Sequence, residues 1–124
     1  MKEAADAVAK TARRSIGKRN ACFLEALCHL NKNQRNAFLR ATDEKFIRCI
    51  CECVFNTLKG NVALKRHEKN HLRKYKTTLR RIASKRDNWK NKRKLLIQRG
   101  GFLSYIIGPL LEILFSRIID KVTD

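Results

Sequence analysis

The chain has 124 residues, with 29 Lys and Arg against 11 Asp and Glu, a formal net charge of +18. That length supports one compact domain, and an apolar fraction of 44% excludes a wholly disordered basic chain. The charge imbalance points to nucleic acid or an anionic membrane surface as partner.

Residues 1–20 carry six basic and two acidic residues with little to bury. They read as a flexible basic arm without the apolar run of a secretory signal. Residues 21–58 balance five basic against four acidic residues and hold most of the aromatic and cysteine content, so they read as core. Cys22, Phe23, Ala26, Leu27 and Leu30 recur at helical spacing and predict a short helix ending near Asn31. Asn33 is the candidate cap of a second helix carrying Ala37 and Phe38. Thr42, followed by Asp43 and Glu44, predicts the start of a third, with acids in its first turn. Phe46, Ile47, Ile50, Cys51, Val54 and Leu58 form its apolar stripe, and Gly60 stops it.

Five cysteines are an odd number, and three of them fall in CICEC, at Cys49, Cys51 and Cys53. Zinc sites favour Cys-x2-Cys, whereas this spacing on a helix turns Cys51 away from the other two. Buried free thiols in a reducing compartment are therefore expected.

Residues 59–99 hold sixteen basic residues against Glu68 and Asp87, a net of +14. Leu64, Leu72, Tyr75, Leu79 and Ile82 carry the helical period through this block up to Ser84. One amphipathic helix with a cationic remainder is the expectation. A shorter basic helix follows, carrying Trp89, Leu95 and Leu96 and ending at the two glycines. Trp89 either packs on the core or stacks on a base. The expected fold is all-α: a small bundle of four or five short helices over residues 21–99.

Inside the basic block, His67-Glu68-Lys69-Asn70-His71 matches H-E-x-x-H, the spacing of a catalytic zinc helix. The chemistry needs a third ligand, and the remaining histidine, His29, lies on another helix. Lys65, Arg66, Lys69, Arg73 and Lys74 surround the motif with charge that repels a dication. No metal site, cofactor or enzymatic activity is expected, and a zinc peptidase is the remote alternative.

The cations themselves are the candidate site. Lys65, Arg66, Lys69, Arg73, Lys74, Lys76, Arg80, Arg81, Lys85, Arg86, Lys90, Lys92, Arg93 and Lys94 are the candidate phosphate contacts. No zinc-finger spacing, RNP aromatic motif or Gly-x-x-Gly clamp accompanies them. The expectation is sequence-nonspecific binding of double-stranded DNA, set against a cationic face that only solvates the protein.

Residues 100–124 change character abruptly. As a helix they place Ser104, Gly108, Glu112, Ser116 and Asp120 at intervals of four, a narrow polar stripe beside a wide apolar face. The expectation is an amphipathic helix behind a Gly-Gly hinge, with Phe102, Leu103, Ile106, Leu110, Ile113, Leu114 and Ile118 facing a membrane or a partner over residues 102–122. Packing of this face against the basic domain is the alternative. A membrane span fits less well, with Glu112 and Arg117 inside it and Pro109 to kink it.

The stretches CICECVFNTLKGNV, LRKYKTTLRRIASKR and KRKLLIQRGGFLSYIIGPLL together resemble small basic proteins of adintoviruses and Maverick/Polinton-type elements. These proteins are compared with adenovirus minor core and capsid proteins, and the resemblance covers roughly residues 46–115. It implies a virion component, located in the virion and in the host nucleus during assembly, that packs DNA and tethers it to capsid proteins. It also implies a substrate of a viral cysteine protease. Gln98-Arg99-Gly100-Gly101 before Phe102 is similar to such cleavage sites, with Gln98 a less usual first position. A cut between Gly101 and Phe102 would free a membrane-active peptide. A helix C-cap and hinge is the plain alternative for the two glycines. A membrane-interacting protein and a protein scaffold without a DNA role remain the competing functions.

Overall fold

Local capping chemistry sets most of the helix boundaries in the computed structural model, which describes residues 20–60 and 62–111. Of the expected arm, residues 1–19 lie outside the described residues, and Asn20 already belongs to the first helix, α1, over residues 20–29. Leu24 and Leu27 are its buried side chains, while Cys22 and Ala26 are exposed. The buried face of α1 is thus centred on Leu24 and Leu27, with Phe23 packed at its edge against the same core.

Helix α2, Lys32–Ala41, is capped by Asn31 rather than Asn33. The Gln34 N–H donates to Asn31 Oδ1 at 2.8 Å, and the Asn31 N–H donates to Gln34 Oε1 at 3.0 Å. This reciprocal capping box satisfies two donors that a bare helix end would leave open. Asp43, not Thr42, caps α3, Glu44–Leu58, by accepting the Phe46 N–H at 2.9 Å. Thr42 instead closes α2, donating its N–H to the Phe38 carbonyl at 3.0 Å. After Leu58 the chain turns at Gly60, whose φ of +77° suits a residue without Cβ.

Helix α3 is the centre of the core. Phe46, Ile47, Cys49, Ile50, Cys53, Val54 and Thr57 are buried, and Cys51 is half-buried on the neighbouring side. The Thr57 hydroxyl donates to the Cys53 carbonyl at 2.9 Å, which satisfies a buried polar group inside the helix itself. Leu58, expected in the stripe, is 42% exposed, since it ends the helix beyond the elements packed on it. Phe23, Phe38 and Phe46 meet edge-to-face with centroids 5.4–6.0 Å apart and tie α1, α2 and α3 together.

All five cysteines are free, with Cys49 and Cys53 buried. Cys53 hydrogen-bonds to Cys49, and that bond together with burial pushes its thiol well above the ordinary range. These side chains serve as small apolar core residues.

The single helix expected from Leu64 to Ile82 is two. Helix α4, Arg66–Arg73, and helix α5, Lys76–Ala83, are separated at Lys74 and Tyr75. There the Tyr75 N–H donates to the Leu72 carbonyl at 2.9 Å, three residues back instead of four. The tightened turn directs the Tyr75 ring onto Phe102, 5.4 Å away. Leu72, Leu79 and Ile82 stay buried on both sides of the break. Helix α6, Trp89–Arg99, starts at Asn88, which accepts the Asn91 N–H at 2.9 Å, and runs into a 3-10 turn, Gly100–Phe102. Helix α3 packs on α5 and α6, α2 packs on α6, and α5 packs on α6.

Residues 103–111 form α7. Here the expected apolar face turns inward. Phe102, Leu103, Ile106 and Leu110 are at most 2% exposed and belong to the same cluster as Ile50, Val54 and Leu96. Ile113, Leu114, Ile118 and the rest of residues 112–124 lie outside the described residues. The two glycines, expected as a hinge, stand in the 3-10 turn against packed neighbours. Gly100 is buried, and a Cβ there would stand 3.2 Å from Arg35 Nε and 3.4 Å from Leu103 Cδ1. A Cβ on Gly101 would stand 3.1 Å from the Tyr75 hydroxyl. Small residues at this corner let the chain turn directly against α2 and α5, so the basic helices and residues 102–111 share one core.

Candidate nucleic-acid interface

Lysine and arginine side chains leave their charged ends in water unless a partner repays desolvation. The fourteen candidate cations follow that rule. Lys65, Arg66, Lys69, Arg73, Lys74, Lys76, Arg80, Arg81, Lys85, Arg86, Lys90 and Lys94 are exposed, and Lys92 and Arg93 are half-buried. They occupy three consecutive helices, the turns between them and, at Lys65, the position before the first. On α4, Arg66, Lys69 and Arg73 share one face; Lys76 and Arg80 do so on α5, and Lys90 and Lys94 on α6.

Both acids of the block are engaged within it. Glu68 Oε1 accepts the Lys65 N–H at 2.8 Å, holding the start of α4. Asp87 Oδ2 pairs with Arg81 Nε at 2.8 Å and fastens the α5–α6 turn. Among the described residues, no other candidate cation makes an ion pair. Most of the positive charge is therefore available to an external anion.

One candidate cation, Arg93, has an additional structural role. The Arg93 guanidinium lies over the Trp89 ring, 4.8 Å from its centroid. The same side chain reaches the Arg40 and Thr42 carbonyls at 3.5 Å. Arg93 therefore links α6 to the α2–α3 corner. Trp89 packs partly against the core, as one of its two expected roles requires, yet keeps some of its surface in solvent. Arg99 at the end of α6 and Arg48 on α3 are also exposed. Neither was among the expected contacts, because one follows the densest charge run and the other sits within the core-forming segment.

Two of the three H-E-x-x-H residues, Glu68 and His71, are engaged elsewhere in the fold. The His71 ring stacks on Tyr105 with centroids 3.8 Å apart and planes at 21°, while His67 is exposed. Glu68 is the helix-start acceptor described above. Among the described residues no group of three or more His, Cys, Asp or Glu is placed to hold a metal ion. His71→Ala is expected to lower stability by about 0.5–1.5 kcal/mol, the worth of an aromatic pair. His67→Ala should stay within about 0.5 kcal/mol of the parent. Thermal denaturation measures both, and a zinc-dependent rise in Tm abolished equally by either substitution would contradict this assignment.

The cut expected between Gly101 and Phe102 falls within the 3-10 turn, with Phe102 fully buried. Proteases bind extended chain, so although Gly101 is exposed the turn would have to open before Phe102 could be engaged. No helix among the described residues is long and apolar enough to cross a membrane. No protein-family model, curated protein or solved structure matches the chain.

Proposed function

We propose that the protein binds double-stranded DNA without sequence specificity through the cations of α4, α5 and α6, and that it works by binding rather than catalysis. The observation that carries this reading is the near absence of internal counter-charge: of fourteen candidate cations, only Arg81 pairs with an acid among the described residues. A charged surface left without partners costs self-repulsion, which a phosphate backbone relieves while releasing its condensed counterions. Exposed cations on helix faces suit backbone contact, which positions a protein without reading bases. The resemblance to small basic virion proteins extends the proposal to genome condensation within a particle, with capsid proteins as further partners.

The test is a titration of unrelated duplexes across a range of salt. Equal affinities with a steep loss as salt rises support the proposal. Indifference to duplex in dilute buffer would overturn it.

A further inference from the structure

A cleft of about 550 Å³ opens between α3 and the α5–α6 turn. Trp89 and Phe55 supply aromatic surface, Lys85 and Lys92 supply charge, and Glu52 and Cys51 complete the part of the lining that matters here. We propose that this cleft holds one unpaired nucleotide, its base against Trp89 and its phosphate between Lys85 and Lys92.

Size and composition fit together. The volume lies within the range of small-ligand sites, which combine apolar walls with a few placed polar groups. A planar base can lie against an indole whose ring also carries the Arg93 guanidinium, so stacking and cationic attraction act on the same ligand. Phe55 is 36% exposed, one of two large apolar side chains left so open among the described residues, and a base would cover it.

The charges are also apportioned. Asp87 is taken by Arg81 and Arg48 by Glu44, both partners lying outside the lining. Lys85 and Lys92 have no such partner among the described residues. The cleft also includes Asn88 and Trp89, so the positive end of α6 opens on it, with no acid in the first turn. Glu52 accepts hydrogen bonds and can serve a ring or exocyclic N–H of a base, a donor that a paired base has already committed. Burial pushes the Cys51 thiol up to about 11, against the opposing pull of Lys92, so at neutral pH it is an uncharged wall. The inference rests on the proposed polyanion binding for the phosphate half and adds recognition of the base.

Trp89 is the single tryptophan of the chain, so its fluorescence reports directly on the cleft. The intact protein is titrated with adenosine monophosphate, an oligo(dT) strand, blunt duplex and inorganic tripolyphosphate. Quenching by the monophosphate or by oligo(dT), with no quenching by tripolyphosphate, supports the proposal. The monophosphate arm distinguishes a free nucleotide from an unpaired residue of a strand. No quenching by either, or equal quenching by tripolyphosphate, overturns it.

Trp89→Leu should weaken binding of labelled oligo(dT) by about 5- to 150-fold, the span expected for one base on one ring, while duplex affinity holds. Trp89→Phe should recover most of that loss, which loosened packing alone would not produce. Duplex binding that persists when the nucleotide arms fail would sink this inference and leave the broader reading standing.

Discussion

Changing Arg66, Lys69, Arg73, Lys76, Arg80 and Lys94 together to glutamine is expected to abolish duplex binding at physiological salt. Each cation that touches a phosphate contributes about 0.9 to the slope of log affinity against log salt. Six contacts correspond to a loss of about 10³-fold or more between roughly 50 and 200 mM salt in the parent protein. The variant should lose close to five units of slope. Its fold should survive, because all six side chains are exposed and make no ion pair, and such surface changes stay within about 0.5 kcal/mol each. Removing charge instead at Lys32, Arg40 and Lys45, on α2 and α3, should leave most of the slope intact. A slope unchanged by the sixfold variant would place the contacts elsewhere.

The second large effect concerns stability. Phe102→Ala should cost about 3–5 kcal/mol, the usual result of emptying a buried aromatic site. A domain of this size has only about 5–15 kcal/mol in total, so the variant should melt far below the parent. Ending the chain after Arg99 is more severe. It removes Phe102, Leu103, Ile106, Ile107, Leu110 and Leu111, six of the twenty buried apolar residues among those described. The shortened chain should show no cooperative thermal transition by circular dichroism. If it folds as firmly as the parent, residues 100–124 are the separate device that their composition suggests. By the same packing, a protein cut after Gly101 should keep its two pieces together until denatured, because the contacts of Phe102 and Ile106 do not depend on the peptide bond.

These two experiments probe the parts of the molecule that were respectively most and least legible in the sequence. The cations were legible because hydration decides their position: a lysine-rich helix face is exposed almost wherever it is placed. Helix α3 was legible too, since acids at its start, a regular apolar stripe and Gly60 all agree. The division of α4 from α5 was not, because Leu72, Leu79 and Ile82 keep the same period across it. The Tyr75 N–H bond to Leu72 and the contact of Tyr75 with Phe102 mark the turn, and neither has a signature in the residue pattern. Asn31 and Asn33 are equivalent as caps until Gln34 is seen to reciprocate. Most instructive is α7: an amphipathic stretch shows the same pattern whether its apolar side meets lipid, a partner or its own core. The burial of Phe102, Leu103, Ile106 and Leu110 in the common core, with the aromatic contacts of Tyr75 with Phe102 and His71 with Tyr105, decides among these. The cleft was hidden for a related reason, since Arg48 and Trp89 stand far apart along the chain.

The unpaired cations have one more consequence, in how added electrolyte acts. In the isolated protein, dissolved ions relax the crowding of like charge and should raise the melting temperature. With DNA present, the same ions should weaken the proposed complex and withdraw the stabilisation that a ligand of the native state confers. If the proposed binding holds, the dependence of Tm on ionic strength should therefore change sign between the free protein and its mixture with DNA.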